Sequence, residues 1–234
     1  TYYARGRDLI VDAGHDGYAA TPYRSWLQSP EAASTLVLPG VPVSPGSTTA
    51  LVADRIERYG QFYELYDTAF GGDPRYRSVY VSQQPDLMLV LDRATGGSDT
   101  SAYHQLWHLA PALTVTEVGA SYAVASAPGA ELTLARVALP GQVIPPGSTQ
   151  VAVGQTDPYQ GWVSDQMLQR TPADVVTMTS TGPSAAILTL LVPTAPSTPV
   201  SYSISGTPAG PWQLRVTVGA SVTLYTVTAD GAIS

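Results

Sequence analysis

The amino-acid sequence predicts an all-β protein, a large antiparallel β-sandwich of many short strands. Three observations carry this. Apolar residues recur in short runs with alternation or β-branching, bounded by Gly, Pro, Asp and Ser, which is the strand pattern. Gly 21 and Pro 20 punctuate the 234 residues too often for long helices. A 44% hydrophobic content is nonetheless too high for disorder and sufficient for a real core.

In chain order, Arg7 to Asp12 is a strand built on Leu9-Ile10-Val11, and Ser34 to Leu38 ends at the Pro39-Gly40 turn. Pro45-Gly46 precedes Ala50 to Arg58, and Gln61 to Thr68 and Tyr76 to Ser82 flank Gly71-Gly72-Asp73-Pro74. Leu87 to Arg93 ends before Gly96-Gly97, and Tyr103 to Leu109, Leu113 to Glu117 and Tyr122 to Ala125 follow. Glu131 to Ala138 lies between Pro128-Gly129 and Pro140-Gly141. Beyond Pro145-Pro146-Gly147 come Val175 to Thr179, Ala186 to Leu191, Ser201 to Ser205, Gln213 to Val218 and Val222 to Thr228. Close spacing with turn signals between strands argues for a sandwich and against βαβ units. Between Gln155 and Pro172 the pattern lapses into a polar segment with Tyr159, Trp162 and Met167, which reads as a long ordered loop with aromatic anchors or as a short helix.

The charge balance narrows the function. All 11 basic residues are Arg, and against 18 Asp plus Glu they leave a formal charge of −7, which excludes a basic nucleic-acid-binding domain. With Cys 0, disulfides and thiolate metal sites are impossible. The longest apolar run, around Ala185 to Val192, is too short to span a bilayer, so no membrane partner is expected. The N-terminal Thr1-Tyr2-Tyr3-Ala4-Arg5-Gly6 is amphipathic and polar rather than a leader, as expected for a cut through a longer protein. All three His and eight of the 11 Arg fall at or before residue 108, so any active chemistry belongs to the first half.

Two constellations stand out there. Asp12-Ala13-Gly14-His15-Asp16-Gly17-Tyr18 follows an apolar strand and opens into a Gly-containing loop, a place where functional side chains are often presented. Asp12 and His15 could ligate a metal, and His15 and Tyr18 could exchange protons with a substrate; an ordinary Asx turn carries the same residues. Tyr103-His104-Gln105-Leu106-Trp107-His108 places two His four positions apart but lacks the Glu of the helical metalloprotease box. On a strand, His104 and His108 share a face roughly 13 Å apart, too far for one metal ion. The packing alternative buries one His with a hydrogen bond and leaves the other lining a groove. Tyr59, Phe62, Tyr63 and Tyr66 fit sheet-face packing or an aromatic platform for sugar rings, and Arg75, Arg77 and Arg93 fit either pairing with acids or binding of an acidic polymer. No phosphate loop, nucleophile elbow or Ser/His/Asp order is present.

Tyr2 to Gly14, then Arg24-Ser25-Trp26-Leu27-Gln28-Ser29-Pro30-Glu31-Ala32-Ala33-Ser34-Thr35-Leu36-Val37-Leu38, resembles the heparinase II/III-like family. Asp86-Leu87-Met88-Leu89-Val90-Leu91-Asp92-Arg93, Gln105 to Leu109 and the strand Ile187 to Pro193 extend the resemblance over most of the chain. It implies polysaccharide lyases in which an α/α-toroid precedes a β-sandwich, and uronic-acid-containing glycans are cleaved by β-elimination at the cleft between them. Residues 1–234 then correspond to the sandwich alone, with the toroid and its Tyr base upstream. The resemblance also implies a structural zinc, for which Asp12 is one ligand. Ala33-Ser34 stands where the family has a His-Asn pair, so the third ligand is absent. Arg24 matches a family Arg, and His108 a His in a Trp-His-Leu strand.

The resulting expectation is the sandwich portion of a secreted or periplasmic lyase acting on an acidic polysaccharide such as a glycosaminoglycan or alginate, inactive without its toroid. Asp12, His15, Tyr18, Tyr23, Arg24, His104 and His108 are the residues expected to face substrate or metal. The rival is a noncatalytic sandwich that binds glycan or stabilises its neighbour, needing aromatic and Arg platforms but no base.

Overall fold

The structure, a computed structural model, describes residues 1–234. Its centre is an eight-stranded antiparallel sheet in the spatial order Ala50–Ile56, Gly60–Phe70, Asp73–Gln83, Asp86–Ala94, Ala185–Thr194, Ala130–Val137, Tyr122–Ala127, Thr114–Val118. Against one face lies a four-stranded sheet of Thr149–Ala152, Val175–Thr181, Ala102–His108 and Leu36–Val37. A three-stranded meander, Val200–Gly206, Trp212–Val218 and Ser221–Val227, covers part of the other face. The predicted sandwich therefore gains a third layer.

Side-chain alternation explains the layering. Strand neighbours point to opposite faces, and in Asp86–Ala94 the residues Leu87, Leu89 and Leu91 pack with Trp212, Leu214 and Val216 of the meander, while Val90 packs with Trp107 and Met178 of the four-stranded sheet. Its partner Ala185–Thr194 divides likewise, with Leu188, Leu190 and Val192 on the meander side and Leu191 on the other. A strand buried on both faces is apolar at consecutive positions, which is why Ala185 to Val192 reads as an apolar run broken only at Thr189.

The inner face between the large sheets holds a polar seam. Asp92, 1% exposed, accepts from Arg77 Nε and Nη2, each at 2.7 Å, and from Gln105 Nε2 at 2.8 Å. Gln105 Oε1 in turn accepts from Trp107 Nε1 at 3.2 Å and from the Thr189 hydroxyl. Arg77 Nη1 reaches the Ser34 carbonyl and Arg75 Nη1 the Leu36 carbonyl, so ion pairs on the central sheet hold down the segment that follows the helix described next. Arg75 and Arg93 are also paired, with Asp67 at 2.7 Å and Glu64 at 2.5 Å. These three Arg thus belong to internal ion pairs and not to a free basic surface.

Two local features differ from the sequence reading. Pro22–Leu27 forms a six-residue α-helix, followed by a 3-10 turn at Pro30–Ala32. Thr21 caps it, its Oγ1 accepting from the Arg24 N–H at 3.1 Å, and Pro22 supplies a pre-set φ at the first helical position. Residues 155–172 form neither a helix nor one open loop but two miniature ladders, Gln155–Thr156 with Tyr159–Gln160 and Trp162–Val163 with Thr171–Pro172. Tyr159 and Trp162 do anchor this segment, packing on Tyr23 and Trp26, whereas Met167 is exposed.

Candidate functional site

Three contacts fix the loop after the first apolar strand. Asp12 Oδ1 accepts from the Gly14 N–H at 2.8 Å, an Asx turn. Gly14 lies flat against Ser164, whose backbone accepts from the His15 N–H at 3.0 Å and donates to the Ala13 carbonyl at 2.7 Å. A Cβ on Gly14, at φ +86, would sit 1.9 Å from the Ser164 carbonyl oxygen. Gly14→Ala is accordingly expected to lower stability by at least about 1–2 kcal/mol, the left-handed backbone penalty alone, read as a lower urea midpoint; an unchanged midpoint would show that this contact does not hold the loop.

That loop brings His15, Tyr18 and Arg24 together. His15 Nε2 lies 3.2 Å from Arg24 Nη1, the His15 and Tyr18 rings are edge-on at 5.3 Å, and the Arg24 guanidinium stands 5.4 Å from the Tyr18 ring centroid. The Gly17 N–H donates to His15 Nδ1 at 3.1 Å. With Nδ1 accepting, a neutral ring carries its proton on Nε2. Nε2 then meets Arg24 donor to donor, and an oxyanion is the natural acceptor for both.

Tyr23, by contrast, is buried at 3% exposure, with its hydroxyl 2.9 Å from Ser164 Oγ. Burial pushes its phenol above the ordinary value. It stacks on Trp26 at 5.5 Å, and the Arg170 guanidinium lies 5.1 Å from its ring and 4.9 Å from that of Trp162. Tyr23 thus pins the short helix to the 155–172 segment and does not open to the surface in this chain.

The two strand histidines part company. On Ala102–His108, Tyr103 and Trp107 join the inner cores while His104 and His108 take the opposite face. His108 is buried, its Nε2 3.0 Å from the Glu31 carbonyl and its Nδ1 without a partner. Desolvation lowers its pKa to about 4, against the pull of that carbonyl and of Asp12. His104 lines a cleft of about 610 Å³ on the outer face of the four-stranded sheet, with Trp26, Glu31, Gln150, Tyr159 and Thr177 among its walls. Burial also lowers the His104 pKa, with Glu31 opposing, which favours a neutral ring able to accept a proton. His15, Tyr18 and Arg24 do not line this cleft.

Sequence reasoning missed Glu31, Gln150 and Thr177, whose residue types carry no signal of their own. Trp26 and Tyr159 were visible as aromatics, but their meeting depends on the helix and the miniature ladders. No group of three or more His, Asp or Glu side chains comes together in the chain. Asp12 is exposed and occupied by its turn, and Ala33 offers no donor, so these residues do not by themselves fit a zinc ion.

The layers and the cleft define a class: a multilayer antiparallel β-sandwich domain carrying an aromatic-edged cleft on its four-stranded sheet. Residues 2–187 match the family model described as heparinase II/III-like, C-terminal. The chain belongs to that family. No curated protein gives a significant match. Among solved structures, the heparan sulfate lyase HepC from Pedobacter heparinus is similar at TM-score 0.73 and 16% identity, over 95% of this chain and 35% of that one. The heparinase III BT4657 gene product aligns at TM-score 0.73 and 12% identity, over 95% of this chain and 35% of that one. A further heparinase III structure aligns at TM-score 0.74 and 11% identity, over 97% and 34%. The chain spans about a third of the length of these structures.

Proposed function

We propose that this chain is the sandwich portion of a secreted or periplasmic polysaccharide lyase that cleaves uronic-acid-containing glycans by β-elimination, with an upstream toroid domain supplying the remaining groups. The observation that carries the reading is the contact of His15 Nε2 with Arg24 Nη1 at 3.2 Å beside the exposed Tyr18. β-Elimination begins with loss of the proton next to the uronate carboxylate, and two donors on that carboxylate stabilise the negative charge that develops on it. Arg24 and His15 Nε2–H would hold the carboxylate, and Tyr18 stands beside them with a hydroxyl able to pass a proton to the departing glycosidic oxygen. His104, neutral in its cleft, would orient the chain along the sheet. A zinc ion enters no step; Asp12 would ligate one only with donors from outside these residues.

Ultraviolet detection of unsaturated uronate, with this chain alone and with its upstream region restored, tests the reading on heparan, alginate and related acidic glycans. Activity is expected only in the restored protein, and Arg24→Ala there is expected to lower kcat by about 10²–10³-fold. A restored protein that binds glycan yet yields no unsaturated product would favour a noncatalytic glycan-binding module. Full activity in Arg24→Ala would remove the donor pair from the mechanism.

A further inference from the structure

Next to the cleft that holds Trp26 and Tyr159 lies a second one of about 410 Å³, and the two share His104 and Gln150. Its walls include Arg136, Ser148, Thr179, Ser180 and Thr181, and no Asp or Glu. Arg136 sits on Ala130–Val137 and is 4% exposed. Its guanidinium makes one hydrogen bond, from Nη1 to the Thr179 carbonyl, while Nε is buried without a partner. The other cations of the central sheet, Arg55, Arg75, Arg77 and Arg93, all have carboxylate partners, and Arg136 has none. Burying a guanidinium without a counter-charge is unfavourable, and here desolvation weakens its hold on its own proton.

We infer that this cleft is an oxyanion site, in which Arg136 takes a sulfate or carboxylate group with the hydroxyls of Ser180 and Thr181 beside it. A planar guanidinium with free donors matches such a group, and the bound anion supplies the counter-charge that the fold omits. Because His104 and Gln150 line both clefts, the two adjoin, and the anion is assigned to an acidic glycan lying across them. The glycan part rests on the lyase reading; the oxyanion part does not. The overall charge of −7 is no obstacle, since a cation in a low-dielectric cleft dominates its local field.

The test uses this chain with inorganic sulfate, at ionic strength matched by chloride, followed by a sulfated heparan oligosaccharide and an unsulfated uronate oligosaccharide. Sulfate is expected to raise the melting temperature of the wild type above the chloride control, and the rise is expected to shrink in Arg136→Met but persist in Arg58→Gln, which removes an exposed cation outside both proposed anion sites. Affinity for the preferred oligosaccharide should fall roughly tenfold or more in Arg136→Met, and which oligosaccharide loses more separates sulfate from carboxylate recognition. In wild-type crystals soaked with selenate, anomalous scattering is expected beside Arg136, a result that needs no variant to fold. An equal sulfate effect in wild type and Arg136→Met, or no anomalous peak there, would overturn the oxyanion site. Sulfate binding at Arg136 with unchanged oligosaccharide affinity in the variant would overturn the glycan assignment alone, and a site that passes both while the restored protein cleaves nothing would count against the lyase reading only.

Discussion

Asp92→Asn is expected to lower the stability of this chain by about 3–5 kcal/mol, the usual cost of stranding one member of a buried ion pair. Asp92 is 1% exposed and accepts three hydrogen bonds, two from Arg77 and one from Gln105. Asparagine keeps the shape but removes the charge, and its amide nitrogen turns a donor toward donors. Arg77 is then left with its side chain 19% exposed and no counter-ion. Arg77→Met, which strands the more deeply buried carboxylate, should cost at least as much. Urea unfolding of both variants measures it; a shift below about 1 kcal/mol would mean that the pair behaves as a solvent-screened surface bridge. Since Arg77 also holds the Ser34 carbonyl, both variants should loosen the segment between the helix and the four-stranded sheet.

Acid should destabilise the fold in a window set by His108. Its pKa is lowered by burial to about 4 in the folded chain, from an unfolded value near 6.5. Below about pH 6.5 the unfolded chain takes up a proton that the folded chain refuses, so stability is full above that pH and is lost as pH falls toward 4. The loss approaches about 3 kcal/mol at the acid end. His108→Gln, which retains a donor for the Glu31 carbonyl but cannot titrate, should flatten that window. Comparing urea midpoints at pH 7 and pH 5 in the two proteins checks this. An equal loss in both proteins between pH 7 and pH 5 would show that His108 does not set this window, since paired carboxylates such as Asp67, whose pKa is depressed beside Arg75, give up their stabilisation only at lower pH.

Much of the fold was legible because alternation and punctuation are local signals. Leu9-Ile10, Leu36-Val37 and the run into Val192 all fall in strands as read. The third layer was not legible, since nothing local in Gln213 to Val218 says which sheet it covers. The short helix escaped because six residues are too few to show a period, though the Thr21-Pro22 cap and first-turn pair was in plain view. Part of the candidate site followed the same rule. His15, Tyr18 and Arg24 lie within ten residues and meet through one loop, whereas the His104 cleft joins five separate segments. Tyr23 and His108 show the opposite limit, since residue type alone does not separate a proton carrier from a packing pin.

The strand Ala185–Thr194 lies between Asp86–Ala94 and Ala130–Val137, which precede it by most of a hundred residues in the case of the first. Remove it and the central sheet falls into two half-sheets, each with a long apolar edge whose backbone groups have no partner. Such edges invite pairing with other chains. The family match stops at residue 187, inside this strand. A shortened protein cut at that boundary would therefore precipitate instead of yielding a smaller domain, and any expression strategy has to carry the chain past Thr194 and through the meander that covers it.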